Sequence, residues 1–358
     1  KKFGINTAGT LSIPVLFIAV ILIICAANGK ELFGVPSAFP GFVNNIAIVA
    51  LTTFAVSINL GTGRMDFSVG SASTLSAGIS CLITYSIFPN KEPGFAIVML
   101  LLCILFGAIV GAISGTAYVL LKLPPIITSL GLTLIYEGLA FLIVGGRVTY
   151  IEMLNPSITD FRYSWWMPLI VAVIALVFVY VLFDLTKFGR EYKALREGQM
   201  VAITTGIKEV PNAIICYIVS GALMGAAAFI SAIQRGGVDC SRLNFSTIGG
   251  MFVAFLPMFI GGFIGRFSND KFGYFLAAIC WALVLALFTA FGAEIPQAVK
   301  DVINSILVVV FMIFLNNEDT VKAFVTGKLF KKWWNQFKEW KARKSLQKNV
   351  NTQSEIKE

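Results

Sequence analysis

The feature that most limits how this chain can fold is a succession of apolar runs, each close to twenty residues long, separated by short polar breaks. A helix needs about twenty apolar residues to cross the hydrocarbon core of a bilayer. Inside that core every backbone N–H and C=O must be bonded within the protein. Such runs fall at residues 11–27, 42–60, 68–88, 95–121, 126–144, 167–183, 211–233, 245–264, 272–291 and 298–315. They predict an all-α polytopic membrane protein with ten transmembrane helices. Composition agrees, with 57% of residues hydrophobic and 13% charged, against roughly a quarter charged in soluble domains. The first run could pass for a secretory signal, but no convincing small-residue cleavage site comes after it, so it is read as the first span.

The charges give the expected orientation. Lys and Arg number 28 against 19 Asp and Glu, and the excess is concentrated at residues 187–208 and 322–348. Basic residues are retained on the cytoplasmic side. With both termini inside, the breaks holding Arg64, Lys122, the 187–208 cluster, and Arg266 with Lys271 all become cytoplasmic. The basic balance therefore reads as topology and gives no reason to expect a nucleic-acid partner. Tyr163, Trp165 and Trp166 precede the sixth run, where an aromatic belt would place them. Trp333, Trp334 and Trp340 among lysines suggest an amphipathic segment lying on membrane lipid. The expected domains are a transmembrane domain at 1–320, with a cytoplasmic loop at 184–210, and a basic tail at 321–358 that ends disordered.

Several function classes drop out. Histidine is absent, which removes His bases, His metal sites and the usual triads. The six cysteines lack metal-ligand spacing and read as small hydrophobes. No Gly-x-x-x-x-Gly-Lys-Ser/Thr loop is present, so nucleotide hydrolysis is not assigned to this chain and no cofactor is expected in it. Without a converging catalytic set it is not read as an enzyme.

The polar break at residues 61–74 divides two apolar runs, and within it Gly63-Arg64-Met65-Asp66-Phe67-Ser68 is echoed by Gly236-Gly237-Val238-Asp239-Cys240-Ser241. Pro40 and Leu123-Pro124 have counterparts in Pro211 and Ile295-Pro296, so two inverted five-helix halves are expected. Arg64, Asp66 and Ser68 could gate the inner mouth of a pathway, or could cap the third helix. Asn44, Asn45, Ser57, Asn59, Ser71, Ser73, Thr74, Thr128, Ser129 and Asn244 are candidates for its polar surface. Neutral hydroxyls and amides suit a sugar or a nucleoside. Each of them could instead bond its own helix or a neighbouring one. Glu137 lies within the fifth run and requires a partner or a cavity. Gly107, Gly111 and Gly115 suit close helix packing.

In the large basic loop, Gln199, Met200, Val201, Ala202, Ile203 and Thr204 are bounded by Gly198 and Gly206. One or two helical turns fit there, with Met200, Val201 and Ile203 apolar on the surface and suited to docking a soluble partner.

Together these residues resemble a family. Thr62-Gly63-x-x-Asp66-x-Ser68-Val69-Gly70-Ser71, then Gly107-x-x-x-Gly111-x-x-x-Gly115 and Pro125-x-Ile127-x-Ser129-Leu130, resemble the membrane permease of ribose/galactose-type ABC importers. The loop from Phe188-Gly189-Arg190 through Ala194-Leu195-Arg196-Glu197 to Gly206-Ile207 is similar to that family's coupling loop. The sequence departs from it at residues 255–266, which keep only some glycines of a late Gly-rich stretch, and at Glu137, where a basic residue is common. The resemblance implies a ten-helix importer fold in a bacterial cytoplasmic membrane. It further implies two permease subunits, a cytoplasmic ABC ATPase docking on residues 199–204, and an extracytoplasmic solute-binding protein delivering a monosaccharide. A nucleoside importer is the alternative, and an ion-gradient-driven secondary transporter a more distant one.

Overall fold

A computed structural model of the chain describes residues 2–88, 94–150 and 157–292, and beyond them residues 296, 299–300, 302–303, 305–307 and 309–310. The chain divides into two compact units, Lys1–Asp301 and Val302–Glu358. The first unit begins with α1 (Lys2–Ala27), α2 (Ala38–Leu60), α3 (Val69–Ile87), α4 (Phe95–Leu121), α5 (Pro125–Val144), β1 (Val148–Tyr150), α6 (Ser157–Tyr163) and α7 (Trp166–Tyr180). A π-helical turn, Val181–Leu185, extends α7, and then come α8 (Lys187–Thr204), α9 (Glu209–Arg235), β2 (Gly237–Asp239), α10 (Gly249–Gly265) and α11 (Asp270–Phe291).

The protein is an all-α polytopic membrane protein, with one small addition. β1 and β2 pair antiparallel, Val148 opposite Asp239 and Tyr150 opposite Gly237. Among the described residues six helices are long and apolar enough to cross a membrane: α2, α4, α5, Trp166–Leu185, α9 and α11. Pro14–Ala27 and α10 are shorter apolar helices. The third run is helical as α3, but Ser71, Ser73, Thr74, Ser76 and Ser80 make it more polar than the others. Half of the tenth expected run, 298–315, falls outside the described residues, and the tail at 321–358 does so entirely.

Burial separates the helices into central and peripheral. On α4, Ile97, Leu101, Leu105 and Ile109 are exposed at four-residue spacing, while Met99, Cys103, Gly107, Val110 and Gly111 are buried on the other face. Lipid is as apolar as Leu, so helices associate in it through close packing of small residues rather than through hydrophobicity. α4 and α9 do this most extensively. A Cβ on Gly107 would lie 2.3 Å from the carbonyl oxygen of Gly221, and one on Gly225 would lie 2.0 Å from that of Cys103. Backbone touches backbone along the seam. α10 and α11 meet in the same way, since a Cβ on Gly273 would sit 2.1 Å from the Gly261 oxygen. α2 packs on α9 and α11 in the interior. All six cysteines are buried free thiols.

Candidate functional site

A cavity of about 350 Å³ opens between α2, α3, the second half of α9 and the residues leading into α10. Ala227, Ala228 and Gly250 keep part of its wall low, and Thr52, Ser73, Thr74 and Ser231 supply hydroxyls. The hydroxyl protons of three of these are already committed. Thr52 Oγ1 donates to the Ile48 oxygen at 2.8 Å, Ser73 Oγ to that of Gly70 at 2.6 Å, and Thr74 Oγ1 to the same oxygen at 3.2 Å. A hydroxyl that has given its one proton to the backbone offers a ligand only lone pairs. These positions therefore accept, and groups that donate fit against them.

Arg235, Asp239 and Arg242 also line the cavity. Asp239 Oδ2 accepts from Arg242 Nε at 2.8 Å, while its Oδ1 accepts from Ser241 N at 3.1 Å and Ser241 Oγ at 2.6 Å. This turn repeats one in the first half. Asp66 Oδ1 accepts from Ser68 N at 2.9 Å and from Ser68 Oγ at 2.6 Å, leading the chain into α3. The Asp-x-Ser echo in the sequence is thus the same local structure twice. The two carboxylates differ in surroundings. Burial pushes Asp66 above its ordinary range against the opposing Ser68 bonds. At Asp239, desolvation is outweighed by the bonds from Ser241 and Arg242, and the carboxyl lies below its ordinary range.

Of the polar residues singled out from the sequence, Ser73 and Thr74 line this cavity. The others lie elsewhere. Asn44 donates to the Arg162 oxygen at 3.4 Å, and Asn45 accepts from Gln234 at 3.0 Å. Ser57 and Ser71 donate to oxygens three residues back in the chain. Thr128 donates to the Pro124 oxygen, and Ser129 to those of Ile126 and Met65. Asn59 is buried beside the polar break, and Asn244 adopts φ +61° in the turn before α10. Glu137 is 2% exposed and accepts three hydrogen bonds from that turn. Sequence reasoning did not single out Arg235, Arg242, Ser246 or Thr247, and the signals near them are the repeated Asp239-x-Ser241 and the candidate Asn244.

A second polar locus lies at the other end of α2 and α9. Arg64, 2% exposed, sends Nη2 toward Glu209 Oε1 at 3.6 Å and places its guanidinium 5.9 Å from the Tyr118 ring. Gln199 Nε2 donates to that same Glu209 oxygen. One carboxylate at the start of α9 therefore joins the polar break to α8.

α8 is two helices meeting at Gly198, whose φ of −172° and ψ of 88° interrupt the helical path. The first part is clamped to the core. Tyr192 Oη donates to the Ile58 oxygen at 2.9 Å, an approach that leaves no room for a side chain on Gly61, and Arg196 pairs with Asp270 at 2.9 Å. After Gly198, residues 199–204 form a short helical turn closed by Gly206 at φ +90°. On it Met200 is 79% and Val201 68% exposed, whereas Ala202 is 4% exposed and faces inward.

A family model described as branched-chain amino acid transport system / permease component matches residues 41–314. The chain is 24% identical over 320 residues to the fructose import permease protein FruG of Bifidobacterium longum, an alignment covering 84% of this chain and 90% of that protein. It is 25% identical over 287 residues to the galactofuranose transporter permease protein YtfT of Escherichia coli, covering 76% and 78% respectively. With the autoinducer 2 import system permease protein LsrC of Photorhabdus luminescens it shares 26% identity over 282 residues, covering 75% and 78%. No solved structure matches the chain.

Proposed function

The chain belongs to the family of branched-chain amino acid transport system permease components, a transport permease and not an enzyme, and on that premise we propose that it is the permease subunit of an ABC importer for a sugar. A soluble binding protein delivers the sugar from outside, and a cytoplasmic ABC ATPase partner supplies the work. Ten helices in two inverted halves, a second permease subunit, a bacterial cytoplasmic membrane and cytoplasmic termini complete the reading. The transmembrane permease runs over residues 1–320, and the basic tail occupies 321–358.

The observation that carries this reading is the pairing of two sites through α9. Its second half walls the cavity, and its first residue holds both Arg64 and Gln199. The exposed apolar turn at Met200, Val201 and Ile203 is where the ATPase docks, because a short helix with uncovered apolar side chains fits a groove on a soluble partner. The cavity is the translocation path. Its acceptor hydroxyls suit the O–H donors of a sugar, and fructose and galactofuranose in the names of two relatives agree. The wider family description points instead to branched-chain amino acids. The carboxylate among the lining residues, Asp239, is already paired with Arg242, which leaves the ammonium of an amino acid no unpaired anion there.

The test is to purify tagged protein from its native membranes with its associated subunits, reconstitute the complex in liposomes, and measure ATP-dependent uptake of labelled fructose, galactose and leucine. Sugar uptake with an ABC ATPase in the complex is expected. Leucine uptake would move the substrate to amino acids. Uptake by the chain alone on an ion gradient would replace the importer reading altogether.

A further inference from the structure

Glu137 is a buried carboxylate in the apolar part of α5, and its three bonds converge on a segment far away in sequence. Oε2 accepts from Phe245 N at 3.0 Å, and Oε1 accepts from Thr247 N at 2.9 Å and Thr247 Oγ1 at 2.7 Å. That segment is strained, since Asn244 and Phe245 sit at φ +61° and +64°, a region that side-chain-bearing residues adopt only when their surroundings impose it. It is also pinned from its other side. The Thr247 oxygen lies where a Cβ on Gly70 would be, 2.0 Å away, so this approach exists only because residue 70 is glycine. Gly70, Ser246 and Thr247 all line the cavity, and Glu137 does not. α5 itself is fixed to α4 next door, where Tyr136 Oη shares a 2.8 Å bond with Ser114 Oγ and reaches the Val110 oxygen at 3.3 Å.

We infer that Glu137 is a positioning residue for the cavity, holding the left-handed turn at 244–247 so that Ser246 and Thr247 form one wall of the path. The inference rests on the cavity being the path proposed above. A carboxylate suits the task because it is acceptor-only and can take all three donors. Glutamine cannot, because its amide NH2 would face a backbone N–H donor.

The experiment labels introduced thiols in native membranes with a small charged thiosulfonate. All six native cysteines are buried, so the unmodified chain serves as the blank. Ser246→Cys reports the turn and Ser73→Cys reports the α3 wall, one helical turn on from Gly70. Both should label when Glu137 is intact. Adding Glu137→Gln should change the rate at Ser246→Cys by about tenfold, as loss of a bond to a charged group would, and leave Ser73→Cys within about twofold. If Glu137→Gln does not accumulate, Thr247→Val, which removes only the hydroxyl bond, should move the Ser246→Cys rate in the same direction by less. Unchanged labelling at both sites overturns the inference and leaves the path intact. A joint change at both sites also overturns it, because Glu137 would then hold the bundle as a whole. No labelling at either site sinks the path itself, and the inference with it.

Discussion

Arg64 lies against two partners, the Glu209 carboxylate and the Tyr118 ring, and its Nε and Nη1 have no hydrogen-bond partner among the described residues. Removing the carboxylate would leave a cation with little compensation. Glu209→Ala should therefore lower stability by about 2 kcal/mol, less than the roughly 3–5 kcal/mol that breaking a fully buried pair costs, because Glu209 is partly exposed. Thermal unfolding in detergent checks this, and Arg64→Met in the same background should recover most of the loss. An unshifted unfolding temperature in Glu209→Ala would mean the pair contributes nothing. Asp66 makes a different prediction. Burial raises its folded value above the unfolded one, so the folded state holds more protons between the two. Stability then falls as pH rises through that window, and stays lower above it. Asp66→Asn keeps an oxygen for the Ser68 turn and should unfold at higher temperature at neutral pH. The advantage should vanish on acidification below the ordinary carboxylate range, and an advantage independent of pH would rule out the carboxylate as its source.

At the scale of elements, the last turn of α8 carries the sharpest contrast between neighbouring residues. Met200 and Val201 project outward and Ala202 faces the core. Met200→Glu should leave the unfolding temperature almost unchanged, as surface substitutions do within about 0.5 kcal/mol, yet remove the ABC ATPase from the purified complex. Ala202→Glu should instead cost several kcal/mol by burying a carboxylate without a partner, so loss of the ATPase there would say nothing about docking. Retention of the ATPase by Met200→Glu would place the docking surface elsewhere. This contrast also marks how far the sequence alone can be read. Bracketing glycines are enough to predict the turn at 199–204, because Gly198 and Gly206 break the helix locally. The first nine apolar runs each fall on a described helix, because a long apolar stretch in a bilayer must bond its backbone within itself, whereas α6 lies in none of them. The cavity wall is not legible in this way. Glu137 reaches Phe245 across 108 residues of sequence, and the close approach at Gly70 depends on tertiary packing. Nor can composition tell which way a hydroxyl points: Ser73 and Ser71 are alike in sequence, but only Ser73 lines the cavity.

At the scale of the molecule, the proposed coupling of the two sites depends on α9 being stiff and on its ends lying on opposite faces of the membrane. It has 27 residues, a length of about 40 Å at 1.5 Å per residue, enough to span a bilayer core of about 30 Å. Its glycine seam with α4 ties it closely to that helix, so a displacement of Glu209 by the docked partner can be carried toward Arg235 at the far end. The charges predict which end is inside. Residues 187–208 hold Lys187, Arg190, Lys193, Arg196 and Lys208, whereas the segment after α9 up to residue 248 holds Arg242 alone among Lys and Arg. Basic residues stay on the cytoplasmic side, so α8 should face the cytoplasm and Arg242 the outside. In intact cells, a membrane-impermeant maleimide should label Arg242→Cys at once and Met200→Cys only after permeabilisation. The reverse pattern would put the cavity mouth inside and the exposed turn outside, where no ATPase could reach it. Labelling of both before permeabilisation would mean that α9 does not span the membrane, and a lever from one face to the other would then have no physical basis.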